Sequence, residues 1–569
     1  MCGIFGILNK NTSKYSYKHA FINKAFQKGR KRGPETSQYK IINNHTEFGF
    51  HRLAINGLND QSSQPICVDD CILICNGEIY NYKELYKSLL AQNVTPVTDS
   101  DCEVIIHMYR KYGINETLVK LNGEFAFALY DVKNGLMHLA RDPVGVRPLY
   151  TASYNDHNNG EVIFFGSELK MLHPFMNSYM RIEHFQPGKY LTLNEYDDKW
   201  NIYNKTNSYY QPYNFNFHVK GCECFNCCRH YMMNITAQNG DMSPIMRLIN
   251  KTLNNCVQRR VTTSDRPIAC LLSGGLDSSL ITALVSKYYK KGQLETYSIG
   301  MPGSEDLKYS QIVADHLGTK HTQIIMTPEE FFDAIPKVIE SIESYDTTSV
   351  RASVGNYLVS KYIAENSEAK VIFNGDGSDE ITGGYMYFHK APDEYSFNDE
   401  CYRLLKDIHC FDVLRSDKSV ASNGLEPRTP FLDKEFIDAY MSIPQYLRYH
   451  PANKNCEKFL LRSAFDGENL LPNEVLWRTK EAFSDGVSSQ KKSWFQIIDE
   501  KIAENYGEIK QIETEFNPPQ TKEQRYYRTL FENSYPDCGY IVPYFWMPKF
   551  VENATDSSAR TLAIYNDHK

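Results

Sequence analysis

Hydrophobic positions follow two rhythms along this chain. Up to about residue 205 they come as short apolar runs broken by turn residues: Cys2–Leu8, Phe50–Ile55, Cys71–Ile74 and Leu121–Asp131. Arg32-Gly33-Pro34-Glu35, Asn76-Gly77 and Arg141-Asp142-Pro143 punctuate them, and Thr98–Glu103 reads as an acidic helix opening. Many short strands with turn signals predict an antiparallel, β-rich domain with a few helices. Beyond residue 242 the rhythm changes. Met246–Arg260, Ser278–Tyr289, Leu307–Leu317, Glu329–Ser344 and Ser353–Asn366 carry helical patterns. Between them lie the strand-like runs Ile268–Leu272, Thr296–Gly300, His321–Met326 and Lys370–Phe373. Strands alternating with helices predict a doubly wound parallel sheet, with ligands at the carboxyl ends of its strands.

Composition narrows the class. The chain has 569 residues, 42% of them hydrophobic, which suffices for several large cores. A net charge of −7 without a long basic block argues against a nucleic-acid partner. No apolar run approaches the roughly 18 residues of a membrane span, and MCGIFGILNK lacks the charged start of a secretory signal. With no such signal, the 15 cysteines predict reduced thiols and a cytoplasmic protein.

Chemistry concentrates where strands end. Leu271–Leu280 reads LLSGGLDSSL, a small-residue loop between a buried strand and a helix. Backbone N–H groups and the helix dipole there suit a phosphate, and serine hydroxyls add donors. There is no GxxxxGK[ST] P-loop. The string Ser273-Gly274-Gly275-Leu276-Asp277-Ser278-Ser279 resembles the pyrophosphate loop of enzymes that split ATP into AMP and pyrophosphate. Asn374-Gly375-Asp376-Gly377-Ser378-Asp379-Glu380 follows another apolar strand, so Asp277 and Asp379 face each other as candidate Mg²⁺ ligands, hard carboxylates beside phosphates. At the other end of the chain, Cys2 follows Met1. Removal of Met1 would give one residue both a thiol and an α-amine of pKa about 7.7–8, a nucleophile with its own base.

Taken with Arg32–Glu35, Phe50–Ile55, Cys75–Asn81 and Thr98–Glu103, residues 2–205 resemble a class II glutamine amidotransferase domain, an N-terminal-nucleophile hydrolase of α/β/β/α layers. The later motifs, including Tyr345–Arg351, Trp477–Gly486, Phe545–Pro548 and Asp556–Arg560, narrow the resemblance to the glutamine-hydrolysing asparagine synthetases of eukaryotic type. The boundaries read as a glutaminase domain at 2–205, a Cys-rich linker at 206–242 and a synthetase domain at 243–569.

The resemblance implies roles. Cys2 attacks the glutamine amide, Asn76 and Gly77 form the oxyanion hole, Arg52 pairs with the α-carboxylate, and Glu78 and Asp101 hold the α-ammonium. Leu53, Ala54, Ile55 and Asn56 line that pocket. ATP falls to Leu271, Ser273, Gly274, Gly275, Asp277, Ser278, Ser279, Ile299, Asn374 and Gly375. Aspartate falls to Thr348, Ser349 and Arg351, β-aspartyl-AMP to Asp376, and charge on the departing pyrophosphate to Lys480. Ammonia is expected to travel inside the protein, with a second copy of the chain the one macromolecular partner left open. Three positions depart from the family pattern: Glu35 and Asp376 exchange Asp and Glu, and Asn374 replaces Ser. Cys222, Cys224, Cys227 and Cys228 with His230 read first as a mobile thiol-bearing linker, then as a metal site, then as a redox element. Two alternatives stand beside the main reading: an amidotransferase–adenylase for another carboxylate, and a non-catalytic nucleotide-binding relative.

Overall fold

The computed structural model describes residues 1–9, 17–90, 94–156, 160–197, 199–203, 206–213, 225–453, 456–507, 509–552, 554 and 556–561. Two antiparallel sheets make up the N-terminal half. The first runs Arg181–His184, Tyr150–Asp156, Gly160–Gly166, Gly3–Leu8, Thr46–Arg52, Thr36–Asn43. The second runs Lys199–Ile202, Lys189–Tyr196, Leu136–Arg141, Gly123–Asp131, Cys71–Ile79, Ile66–Val68, with Asn207–Ser208 on its side. Strand side chains alternate faces, and both faces here are apolar. Ile4, Leu8, Phe48 and Phe50 share one core with Ile74, Ala128, Met137 and Leu139 of the second sheet. Phe5 and Ile7 point the opposite way, to Ile22 and Phe26 of helix His19–Gln27. Leu73, Phe125 and Phe127 pack beneath helices Tyr82–Leu90 and Val104–Lys120. Helix, sheet, sheet, helix is the expected layering.

Asn76-Gly77 does not turn the chain. It lies inside Cys71–Ile79, paired in register along the whole of Gly123–Asp131. A Cβ on Gly77 would sit 2.3 Å from the Glu124 carbonyl oxygen, so the glycine serves close strand approach.

The C-terminal half holds a five-stranded parallel sheet in the order Lys320–Ile325, Glu295–Gly300, Ile268–Leu271, Val371–Phe373, Glu426–Arg428. Chain order reverses beside the central strand Ile268–Leu271, which opens a crevice at the carboxyl ends. The last strand was not expected. Proline cannot donate to a ladder, and Glu-Pro-Arg lacks an apolar pattern. It is nevertheless buried, at the edge of the sheet that meets the N-terminal half. The proposed linker is also firmer than expected. Its described part forms helix Phe225–Gln238, with Met233 in the core and the Tyr213 hydroxyl 3.7 Å from Cys227 Sγ. Cys222 and Cys224 lie outside the described residues, and no cluster of three His, Cys, Asp or Glu suited to a metal occurs among those described.

Buried ion pairs lock the two halves together. Arg32 Nη1 bridges Glu168 at 2.7 Å and Asp417 at 2.8 Å. Arg147 reaches Glu124 at 3.0 Å and Asp417 at 3.2 Å, and Arg260 reaches Glu124 at 3.1 Å and Asp433 at 2.6 Å. Such charges tolerate burial only when paired. They set the N-terminal site and the synthetase cleft in a fixed relation.

Candidate active sites

Cys2 enters the first sheet at its central strand. Its carbonyl accepts from Arg32 Nε at 3.0 Å, and its Sγ lies 3.6 Å from the Leu53 carbonyl oxygen. Burial pushes the thiol up to about 11. Met1 is itself buried, with its ammonium 3.8 Å from Glu426. In this form the free amine therefore precedes Cys2 by one residue. Asn76 is fully buried, and neither atom of its side-chain amide has a partner among the described residues. An orphaned donor in such a place is ready for an oxyanion.

Arg52 donates to the Gly57 carbonyl. Asn56 donates to Glu78, and Asp101 accepts from the Ile79 N–H. Burial first, then the neighbouring Asp101, raises the Glu78 carboxyl well above its usual range, and burial pushes Asp101 up to about 6. Two carboxyls so destabilised as anions suit a cationic ligand. The departure at Glu35 has a visible consequence. Its Oε2 accepts from Ala54 N–H at 2.8 Å and its Oε1 from Arg266 Nη2 at 2.7 Å, while Arg266 Nε donates to the Ala54 carbonyl at 2.8 Å. The longer side chain thus clips segment 53–56 to the synthetase half, where Asp265 N–H also reaches the Ile55 carbonyl at 3.0 Å.

The second site is a cleft at the carboxyl ends of the parallel strands. Leu271, Ser273, Gly275, Asp277, Ser278, Ile299, Asn374 and Gly375 line it, with Asp376, Asp379, Thr348 and Lys480. Four expected residues do not. Gly274 turns its Cα to Ser310, with φ +76° and no room for a side chain. Ser279 is wholly buried in helix Leu276–Ser286. Ser349 hydrogen-bonds Asp346 at 2.8 Å as part of a helix cap. Arg351 faces away from the cleft, paired with Glu523 and with both oxygens of Asp556 at 2.7–2.8 Å.

Sequence reading missed Lys458. It sits at φ +59° before helix Phe459–Phe465, almost wholly buried, with Nζ 2.6 Å from Asp277 and 2.7 Å from Asp379. Lys480 Nζ lies 2.6 Å from Asp379 and 3.6 Å from Asp277. Burial opposes ionisation of Asp379, yet these two ammonium groups hold it well below the usual carboxylate range. No motif surrounds Lys458. Its stem fills the space beside Gly384, where a Cβ would lie 2.0 Å from Lys458 Cε. Arg415 and Ser416 were missed as well. Ser416 Oγ donates to Asp376 at 2.5 Å and accepts from Asn374 Nδ2 at 2.8 Å, so one serine engages both departing residues. Arg415 Nη2 lies 3.4 Å from Asp376. Lys458 and Lys480 already occupy both Asp277 and Asp379, so a divalent ion bound by these two carboxylates would have to compete with two ammonium groups.

Comparison with known proteins gives the family of each half. A glutamine amidotransferase domain model matches residues 1–224, and an asparagine synthase model matches residues 248–400 and 392–539. Asparagine synthetase [glutamine-hydrolyzing] from Gallus gallus is 43% identical over 552 residues, covering 94% of each chain. The proteins of that name from Homo sapiens and Bos taurus are each 41% identical, again over 94% of each chain. No helix among the described residues is long and apolar enough to cross a membrane. With a buried, unpartnered Asn76 amide in one half, a cleft at the sheet's switch point in the other and this similarity along nearly its whole length, the chain belongs to the glutamine-hydrolysing asparagine synthetase family.

Proposed function

We propose that this chain makes L-asparagine from L-aspartate, with ATP as the activating substrate and glutamine as the nitrogen donor. The observation that carries the reading is 43% identity over 94% of the chain to a glutamine-hydrolysing asparagine synthetase, and the unpartnered Asn76 amide and the cleft at the strand ends support it. In the glutaminase half, residues 2–205, removal of Met1 gives Cys2 the α-amine that takes the thiol proton. Sγ then adds to the amide carbon of glutamine while Asn76 and the Gly77 N–H hold the oxyanion, the amine's proton passes to the departing ammonia, and water hydrolyses the Cys2 thioester to glutamate. Arg52 holds the α-carboxylate, and Glu78 and Asp101 hold the α-ammonium. Residues 206–242 join this half to the synthetase half, residues 243–569.

In the cleft, Leu271 and Ile299 flank adenine while Ser273, Gly275 and Ser278 meet the phosphates. The β-carboxylate of aspartate attacks the α-phosphorus, pyrophosphate departs and β-aspartyl-AMP remains. Lys480 and Lys458 stabilise charge on the leaving pyrophosphate. Asp277 and Asp379 would hold Mg²⁺, which neutralises phosphate charge when bound. Asp376, fixed by Ser416 and Arg415, positions the acyl-adenylate for ammonia, which passes inside the protein because in water it would protonate and lose its nucleophilicity. Aspartate labelled with ¹⁸O in its β-carboxylate tests this route. One label appearing in AMP supports the acyl-adenylate, and label-free AMP or an ADP product would sink it.

A further inference from the structure

Segment 53–57, expected to line the glutamine pocket, belongs to the N-terminal half by sequence and to the synthetase half by packing. Leu53 and Ile55, each 2% exposed, share one hydrophobic core with Leu253, Val257, Ile268 and Leu272. Its backbone is held from the same side. The Ala54 carbonyl accepts from Arg266 Nε at 2.8 Å, the Ile55 carbonyl accepts from the Asp265 N–H at 3.0 Å, and the Gly57 N–H donates to Asp265 Oδ2 at 3.0 Å. Glu35 closes the set, with one oxygen 2.8 Å from the Ala54 nitrogen and the other 2.7 Å from Arg266 Nη2.

The opposite edge of the segment touches the chemistry. The Leu53 carbonyl oxygen lies 3.6 Å from Cys2 Sγ, Asn56 donates to Glu78, and the Gly57 carbonyl accepts from Arg52. The Arg266 and Glu35 side chains are 28% and 31% exposed, where an ion pair adds little to stability. Their hydrogen bonds instead fix where a stretch of backbone stands against the thiol. Asp265 and Arg266 directly precede strand Ile268–Leu271, and Ser273 and Gly275 of the cleft follow it. One strand therefore ends in the nucleotide cleft and begins at the wall of the glutamine pocket.

We infer that Asp265 and Arg266, bridged by Glu35, are positioning residues for glutamine hydrolysis, although two of the three lie in the synthetase half. They hold segment 53–57 so that the Leu53 carbonyl, Asn56 and Gly57 meet Cys2, Glu78 and Arg52. That role rests on the reading that Cys2 hydrolyses glutamine. It also gives a use to the longer side chain at position 35, which spans from Ala54 to Arg266.

The test takes the full chain and measures glutamate released from glutamine beside asparagine formed from ammonium. A pocket wall misplaced by about 1 Å costs of order 10²-fold, so Arg266→Met should lower kcat/KM for glutamine roughly 10- to 100-fold and leave the ammonium-dependent rate within about 2-fold. Arg266→Lys keeps the charge but loses the fork that reaches Ala54 and Glu35 together, and should fall between. The double exchange Glu35→Arg with Arg266→Glu separates positioning from simple attachment of the halves. It keeps opposite charges at the two positions but removes the acceptor for the Ala54 N–H and the donor to the Ala54 carbonyl. Glutamine use should therefore stay as low as in Arg266→Met. Should Arg266→Met not melt cooperatively, Arg266→Lys carries the comparison. Glutamine kcat/KM within about 2-fold of the parent in the folded variant, equal losses with glutamine and ammonium, or recovery in the double exchange would overturn the positioning role alone. A parent chain that releases no glutamate would overturn the reading of function as well.

Discussion

Arg351 separates a substrate role from a structural one. In the structure its guanidinium is buried and donates Nε to Glu523 at 2.9 Å, Nη1 to Asp556 at 2.8 Å and Nη2 to Asp556 at 2.7 Å. Glu523 is also buried, so Arg351→Met would leave a carboxylate inside without its cation. Breaking a buried pair in that way costs about 3–5 kcal/mol. For a synthetase half of about 330 residues, at about 2.1 cal/mol/K per residue, each kcal/mol moves Tm by about 1.5 °C, so a fall of roughly 4–7 °C is expected. The aspartate KM of the folded fraction should stay within about 2-fold. A direct role at the α-carboxylate predicts the reverse: loss of a charge-assisted hydrogen bond worth about 1.5–3 kcal/mol, hence a KM roughly 10- to 150-fold higher, at unchanged Tm. The assay pairs a thermal melt with aspartate titration, ammonium serving as donor. Adding Glu523→Gln and Asp556→Asn to Arg351→Met should recover part of the lost Tm, because no charge is then stranded. A tenfold rise in aspartate KM with an unmoved melt would refute the reasoning.

The other predictions concern single groups. Lys480→Met should slow pyrophosphate release about 10²–10³-fold while glutamate release stays normal, and Lys458→Met should do the same with a lower Tm, since Lys458 is buried between two carboxylates. Asn76→Ala should cut glutamine hydrolysis about 10²–10³-fold and leave ammonium-dependent synthesis intact, as measured by asparagine formed from each donor. The pH profile of glutamine use should break where the two raised carboxyls ionise as a pair, Glu78 well above its usual range and Asp101 at about 6. Their anions together bind the ammonium, so kcat/KM for glutamine should fall up to about tenfold per unit below that point. Asp101→Asn should lower kcat/KM throughout and move the break downward to that of Glu78 alone, freed of its neighbouring carboxylate.

Periodicity alone carried most of the fold. The strand runs before Ser273 and Asn374, and the helices between, matched the observed elements to within a few residues because each is a long apolar segment with clear ends. Glu426–Arg428 was unreadable because its burial comes from ion pairs rather than apolar side chains. Asn76-Gly77 misled for the opposite reason: a common turn dipeptide was selected here for strand approach and for an orphaned amide. Motif reading located the cleft, but it described loops rather than what lies behind them. Lys458 arrives from 181 positions beyond Asp277, and Arg415 from 39 beyond Asp376. Neither stands in a recognisable string. Arg351 shows the limit of motif transfer, since position in a segment does not tell which way a long side chain turns.

The central claim, that two separate sites cooperate in one chain, is tested most directly by supplying aspartate and Mg-ATP with either glutamine or ammonium and quantifying asparagine, AMP and pyrophosphate in the parent and in Cys2→Ala. The account predicts asparagine from both donors in the parent, and from ammonium alone in Cys2→Ala. Glutamate released without asparagine or pyrophosphate, or glutamine-dependent asparagine persisting in Cys2→Ala, would contradict it.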